Sequence, residues 1–260
     1  MRPTGVVVMV AGARAQQWRL PRPIEEDPLH TVDLPLSLRS VLFRRGQALP
    51  AQVEALLHDQ SLPSPREHFP ELVRALARLK RACLQHERVA ICGDYDADGM
   101  TSTALLMRAL SVMGASPHAA IPSRMADGYG LNVGMVDQLH AEGVRLLVTV
   151  DNGVAAHDAL AKAAELNVEV ILTDHHTLPD VRPKALALIH PATTPRHSPY
   201  SGLAGVGLAY VLARALAAEL NRPKAISAAR DLFCIGTVAD MAPLTGANRI
   251  LLREGLHHLH

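Results

Sequence analysis

Short apolar runs alternate along this chain with longer segments whose apolar residues recur at helical spacing. Val89–Cys92, His118–Ile121, Leu146–Val150, Val168–Thr173 and Ala185–Ile189 read as strands. Between and after them, Thr101–Met113, Val133–Glu142, Ala155–Leu166 and Val206–Leu220 carry helical periodicity and are rich in Ala and Leu. Such alternation predicts an α/β fold, a mostly parallel sheet with helices on both faces. Glu71–Leu84, apolar at helical spacing with basic residues between, predicts one more helix ahead of the first strand. Upstream the pattern changes. Residues 16–70 are rich in proline and turn residues, with helical stretches at Leu36–Arg45 and Ala51–His58. The expected division is an N-terminal extension and arm over residues 1–68, followed by a main domain over residues 69–260.

Composition adds bounds. At 260 residues, 48% hydrophobic and 20% charged, the chain can bury one large core or two small ones. Lys+Arg 26 against Asp+Glu 25 gives a formal charge of +1, so any site for a polyanion must be local. Cys83, Cys92 and Cys234 are odd in number and widely spaced, which suits a reducing compartment better than a disulfide framework. A cytoplasmic location is expected. The start, Met1-Arg2 followed by Gly5–Ala15, imitates a signal peptide, but its apolar stretch is short and it reads as an irregular extension. No apolar run reaches the ~18 residues that span a bilayer.

In open parallel sheets, ligands gather outside the carboxyl ends of the strands. The polar clusters fall there: Asp94, Asp96 and Asp98 after the first strand, Arg124 after the second, Asp151-Asn152-Gly153 after the third, Asp174-His175-His176 after the fourth. Residues two apart in a strand share a face, so Asp94, Asp96 and Asp98 are expected to converge as the chain leaves the sheet. Crowded carboxylates repel unless cations hold them, and hard divalent cations with oxygen ligands are the natural occupants. A solvated turn marked by Asp98-Gly99 is the competing explanation. Asp96, Asp98 and Asp151 with an imidazole from His175 make a set suited to Mn²⁺ or Mg²⁺, and the sequence has no Cys-x-x-Cys zinc signal. Two such ions ~3.5–4 Å apart lower the pKa of water and stabilise the attacking and leaving oxygens at phosphorus.

Of His175 and His176, one would bind metal and the other face substrate; alternatively Thr173-Asp174 caps a helix and the histidines are structural. Arg124, in the glycine-bearing loop Pro122–Asn132, suits two-point phosphate binding. The turn with Gly202, Gly205 and Gly207 opens a helical segment and is either an anion nest or a glycine-rich turn that packs a helix. Asp240 lies in the apolar helical segment Ile235–Pro243; buried alone it would need a partner, and a metal would serve.

With these residues assembled, the chain resembles the DHH phosphoesterase superfamily, and within it the RecJ single-strand-specific 5′→3′ exonucleases. The resemblance runs from about Trp18 to Leu256 and rests on Gly93–Ser102, Arg124 with Gly128–Asn132, Val150–Gly153, Thr173–Pro179, Gly202–Gly207, and Gly236–Leu244 with Asn248-Arg249. Thr173–Pro179 looks particularly like cyanobacterial members.

Carried onto matching positions, the resemblance implies that Asp96, Asp98, Asp151, His175 and Asp240 hold two Mn²⁺ or Mg²⁺ ions, Asp151 bridging them. Asp94 would support them or add a ligand, His176 would contact the scissile phosphate, and Arg124 with the Gly202, Gly205, Gly207 turn would grip backbone phosphates. The implied reaction is phosphodiester hydrolysis releasing 5′-mononucleotides from single-stranded DNA, in repair and recombination. Implied partners are single-stranded DNA and a single-strand-binding protein or helicase, with no membrane and a monomeric chain. RecJ proteins continue into a DHH-associated domain and an oligonucleotide-binding fold. Neither is in this sequence, so a catalytic core that binds DNA weakly is expected. Two other readings stand beside this one: a phosphodiesterase for short oligonucleotides or cyclic dinucleotides, told apart by degradation of a dinucleotide against a long strand, and a non-catalytic DNA-binding or scaffold module, told apart by absence of metal binding.

Overall fold

A computed structural model describes residues 24–58, 61–123, 128–227 and 229–256, together with the strands β1 (Val7–Met9) and β2 (Gln17–Arg19). It divides into two compact units, Met1–Ser61 and Leu62–His260. In the first, β1 and β2 pair antiparallel, with Val8 opposite Trp18. The run read as an irregular extension therefore contains one strand of a two-stranded ladder. Its consecutive β-branched valines favour extended backbone. Helices α1 (Leu36–Arg44) and α2 (Pro50–Leu57) follow the predicted stretches, and a small core of Leu29, Val32 and Val53 packs with Leu34, Leu42 and Phe43.

The second unit opens with α3 (Leu72–Leu84) and continues β3 (Arg88–Cys92), α4 (Ala97–Met113), β4 (Ser116–Ala120), α5 (Val133–Ala141), β5 (Leu146–Val150), α6 (His157–Glu165), β6 (Glu169–Thr173) and β7 (Ala187–Ile189). Among the described residues the α-helices α7 (Gly205–Glu219), α8 (Lys224–Ser227), α9 (Arg230–Ala239) and α10 (Gly246–Leu256) follow. The five strands β3 to β7 form one parallel sheet in the order β4-β3-β5-β6-β7.

Side-chain alternation sorts the core into two layers. Val89 and Ile91 of β3, Leu146, Val148 and Val150 of β5, and Ile171 of β6 pack with α3, α4, α7, α9 and α10. Ala90 and Cys92, Leu147, and Val170 and Leu172 point the other way, against α5 and α6. Strands buried on both faces explain the consecutive apolar runs in the sequence. The three cysteines are buried and free. Among the described residues, no helix is long and apolar enough to cross a membrane.

Two details differ from the sequence reading. Strand β3 ends at Cys92 and α4 begins at Ala97, four residues before the predicted Thr101, because Asp96 caps the helix by accepting the Gly99 amide at 2.9 Å. The three aspartates thus do not share a strand face; Asp94 is in the loop, Asp96 at the cap and Asp98 in the first helical turn. Asp240, expected inside a helix, is the half-buried residue that closes α9.

The order of strands creates the site. From β3 the chain moves outward to β4, then returns past β3 to β5 and continues to β6, so the direction reverses between β3 and β5. That reversal opens a crevice at the carboxyl ends of these two strands. Where α9 meets α4 and α7, Gly236 permits close approach; a Cβ there would press on Thr101 Oγ1 and lie 2.8 Å from Val206 Cγ1. Gly236→Ala is expected to destabilise the chain by about 1–3 kcal/mol through overpacking. A urea midpoint equal to the parent's would refute this packing constraint.

Candidate metal centre at the tips of β3, β5 and β6

Four carboxylates sit at the switch point almost out of solvent: Asp94 at 1%, Asp98 at 2%, Asp151 at 2% and Asp174 at 1% relative exposure. A buried charge must be met by hydrogen bonds or an opposite charge. Asp98 is met by the start of α7, where Gly205 N donates to Oδ2 and Val206 N to Oδ1, each at 2.7 Å. A side chain at Gly205 would collide with this arrangement, its Cβ falling 2.6 Å from Asp151 Cβ. These two amides, offered by the sequence to a phosphate, are therefore taken up by Asp98. Gly202 and Gly207 serve packing, since a Cβ on each would meet Pro243 at 2.9 Å and Leu203 at 2.8 Å.

Asp174 is satisfied differently. Its Oδ2 accepts Val154 N at 3.0 Å, and its Oδ1 accepts His176 N at 3.0 Å and pairs with His176 Nδ1 at 2.7 Å. These bonds outweigh burial and hold its carboxyl below the ordinary carboxylate range. Asp174 thus organises the loop rather than capping a helix. Behind it, buried His190 accepts Ala192 N at Nδ1, which leaves its Nε2 to donate to the His176 carbonyl at 2.8 Å. Asn152 latches the strand tips: its Nδ2 donates to Cys92 O at 3.0 Å and Val150 O at 2.9 Å, and its Oδ1 accepts Leu131 N.

Asp151 is left short. Its backbone is left-handed, φ 60°, uncommon for a residue with a side chain. Its buried Oδ1 has no hydrogen-bond partner. His175 Nε2 lies 2.9 Å from that oxygen without the alignment of a hydrogen bond, and 3.6 Å from Asp98 Oδ2. Burial pushes the Asp151 carboxyl up to about 7, with His175 opposing. Burial and the charge of Asp96 push Asp94 to about 6. Burial works against the His175 imidazolium, but the contact with Asp151 prevails and raises it to about 9.

Three groups bring potential ligand atoms within 4.8 Å of one another: Asp94, Asp96 and Asp151; Asp98, His175 and Asp240; and Asp151, His175 and His176. Asp94, Asp96, Asp98, Asp151, His175, His176 and Asp240 are all among them, whereas Asp174 is not. The mixed oxygen and imidazole donors, with an orphaned buried carboxylate oxygen at the point of overlap, fit hard divalent cations. Arg124 lies outside the described residues. Sequence reasoning missed the roles of Asn152, His190 and Tyr129. Tyr129 gives its hydroxyl proton to Asp151 O at 2.8 Å and faces His176 Nε2 at 3.3 Å. The signal available for it was a tyrosine bracketed by two glycines.

The DHH family, N-terminal domain model matches residues 88–237. The single-stranded-DNA-specific exonuclease RecJ of Bacillus subtilis is 37% identical over 259 residues, which cover 95% of this chain and 31% of that protein. Its namesake in Thermus thermophilus is 44% identical over 187 residues, 71% of this chain and 27% of that one. The crystal structure of RecJ in complex with Mn²⁺ from Thermus thermophilus matches with TM-score 0.70 and 35% identity, over 89% of this chain and 32% of that chain. The chain thus spans about a third of the length of these relatives.

The Asp151–His175 contact has a measurable signature in the metal-free protein. Asp151→Asn removes the carboxylate that holds the proton on His175, so its imidazole should titrate well below about 9, burial now favouring the neutral ring. Both His175 and Asp151 have raised folded values, so the stability they contribute is full at low pH and drains as pH rises through about 7 and then about 9. NMR titration of the imidazole protons checks the assignment; a His175 still titrating near 9 in the variant would sink it.

Proposed function

The chain belongs to the DHH family, and from that premise we propose that it hydrolyses phosphodiester bonds of single-stranded DNA from the 5′ end, releasing 5′-mononucleotides, with two Mn²⁺ or Mg²⁺ ions. The observation that carries the reading is the overlap of three ligand groups on Asp151 and His175, at a crevice where a buried oxygen of Asp151 accepts no hydrogen bond. Asp96, Asp98, Asp151, His175 and Asp240 would hold the ions, with Asp151 shared and Asp94 in support. Bound there, the ions supply an activated water and neutralise charge at phosphorus.

The protein's own groups do the rest. Asp98 is fixed by the amides of Gly205 and Val206, so its carboxylate has no freedom to drift as charge builds. His176, held at Nδ1 by Asp174 and half-exposed, would share its Nε2 side between the Tyr129 oxygen and a phosphate oxygen. Arg124 would take a second phosphate oxygen. The names of the relatives support single-stranded DNA as the substrate class; a single-strand-binding protein or helicase is proposed as a further partner.

The test is release of label from 5′-labelled single-stranded DNA with Mn²⁺. The parent chain should release labelled mononucleotide, chelation should abolish release and added Mn²⁺ restore it. Asp151→Ala should lose at least about 100-fold, since even the outer partners of metal ligands are worth 10–100-fold. A chain that binds Mn²⁺ by calorimetry yet leaves both the strand and bis(p-nitrophenyl) phosphate intact overturns the hydrolytic reading. A dinucleotide cleaved faster than the strand would move the substrate to short oligonucleotides.

A further inference from the structure

We propose that Tyr129 is a positioning residue of the metal centre, its hydroxyl joining the Asp151 turn to the ring of His176; this rests on the reading of the site given above. The loop that carries Tyr129 is pressed onto the strand tips. Gly128 and Gly130 flank it with φ of 81° and 68°, and a Cβ on Gly130 would lie 3.1 Å from Asn152 Oδ1. Leu131 N then bonds to that same oxygen at 3.1 Å, so the tyrosine is delivered to a fixed place.

Counting protons assigns each contact. Burial and the surrounding carboxylates keep the phenol protonated, well above its ordinary range. Its single proton goes to Asp151 O at 2.8 Å. The phenol oxygen, 3.3 Å from His176 Nε2, is thereby left as an acceptor on that side. His176 thus meets a polar neighbour at each ring nitrogen, Asp174 at Nδ1 and the Tyr129 oxygen at Nε2. Asp151 is likewise gripped at both of its backbone polar groups, its N–H bonded to Thr173 O at 3.0 Å and its carbonyl accepting from Tyr129. A left-handed aspartate persists only where its surroundings over-determine it, and the phenol is one of those constraints. The ring adds edge contacts, to Tyr95 at 6.2 Å and to His176 at 5.9 Å between centroids.

Half of the Tyr129 surface stays open, 51%, so loss of the hydroxyl should cost the fold little. Tyr129→Phe keeps the ring and removes only the linking oxygen. Three results are expected: a shifted His176 imidazole nitrogen resonance in the metal-free protein, Mn²⁺ affinity by calorimetry weaker by about tenfold, and kcat on bis(p-nitrophenyl) phosphate about tenfold lower with KM unchanged. A purely structural tyrosine would lower the melting temperature and leave all three alone. A variant with parental imidazole resonances, Mn²⁺ isotherm and kcat overturns the role of Tyr129 while the parent's activity still stands. A parent that neither binds Mn²⁺ nor cleaves the diester instead brings down the reading of the site, and the resonance still reports on the Tyr129–His176 contact.

Discussion

Burial of like charges at one crevice is the constraint that shapes this molecule around its site. Carboxylates resist leaving water, and each must find compensation where it stands. Asp98 finds it in the first amides of α7, where the helix dipole also favours a negative charge. Asp174 finds it in two backbone amides and an imidazole. Asp151 has a histidine nearby and an oxygen with no hydrogen bond. Compensation is therefore unequal, and the remaining demand collects on one carboxylate between two histidines. A divalent cation meets that demand; a water or a further amide would cancel it.

The backbone is arranged to keep matters so. Asp151 follows a fully buried strand and turns left-handed at its tip, while Asn152 ties β3, β5 and the loop at Leu131 together. Gly205 lets α7 begin against Asp151 and Asp98 with no side chain between. Two acids within one motif are thus separated in role: Asp98 is bonded to backbone amides and Asp96 caps α4, yet both keep carboxylate oxygens within reach of the ligand groups. A strained turn and glycine-lined approaches are what a crowded, pre-formed site requires.

Much of this was legible in the sequence. The five strands, the parallel sheet and the covering helices follow from consecutive apolar runs alternating with helical periodicity, because strands buried on both faces cannot alternate in polarity. The clustered Asp, His and Gly at strand ends marked the crevice from the chain alone. Asp94, Asp96 and Asp98 do not meet at one point as a shared strand face would have it: capping by Asp96 starts the helix early, Asp94 and Asp96 face Asp151, and the first helical turn carries Asp98 to His175 and Asp240. The glycine turn at 202–207 was ambiguous because an amide pair that binds an external anion and one that binds the chain's own carboxylate look alike in one dimension. Asn152, His190 and Tyr129 act through backbone groups distant in sequence, and no local spacing announces such bonds.

Charge sets the order in which such a site can work. The whole chain is nearly neutral, at +1, whereas the crevice gathers Asp94, Asp96, Asp98, Asp151 and Asp240 against His175 and His176. A phosphodiester approaching the bare carboxylates meets repulsion. On the proposed reading, two divalent cations reverse the local sign, and the same crevice then attracts what it rejected. Binding free energies are reciprocal, so whatever the cations add to the strand's affinity the strand adds to theirs. Protons join the same balance: the raised values of Asp151 and His175 mean that cations displace protons, and affinity for metal must climb with pH until His175 is neutral. Burial of the carboxylates thus links proton, cation and strand through one residue pair, and the fold supplies that link by leaving an oxygen of Asp151 beside His175 without a hydrogen bond.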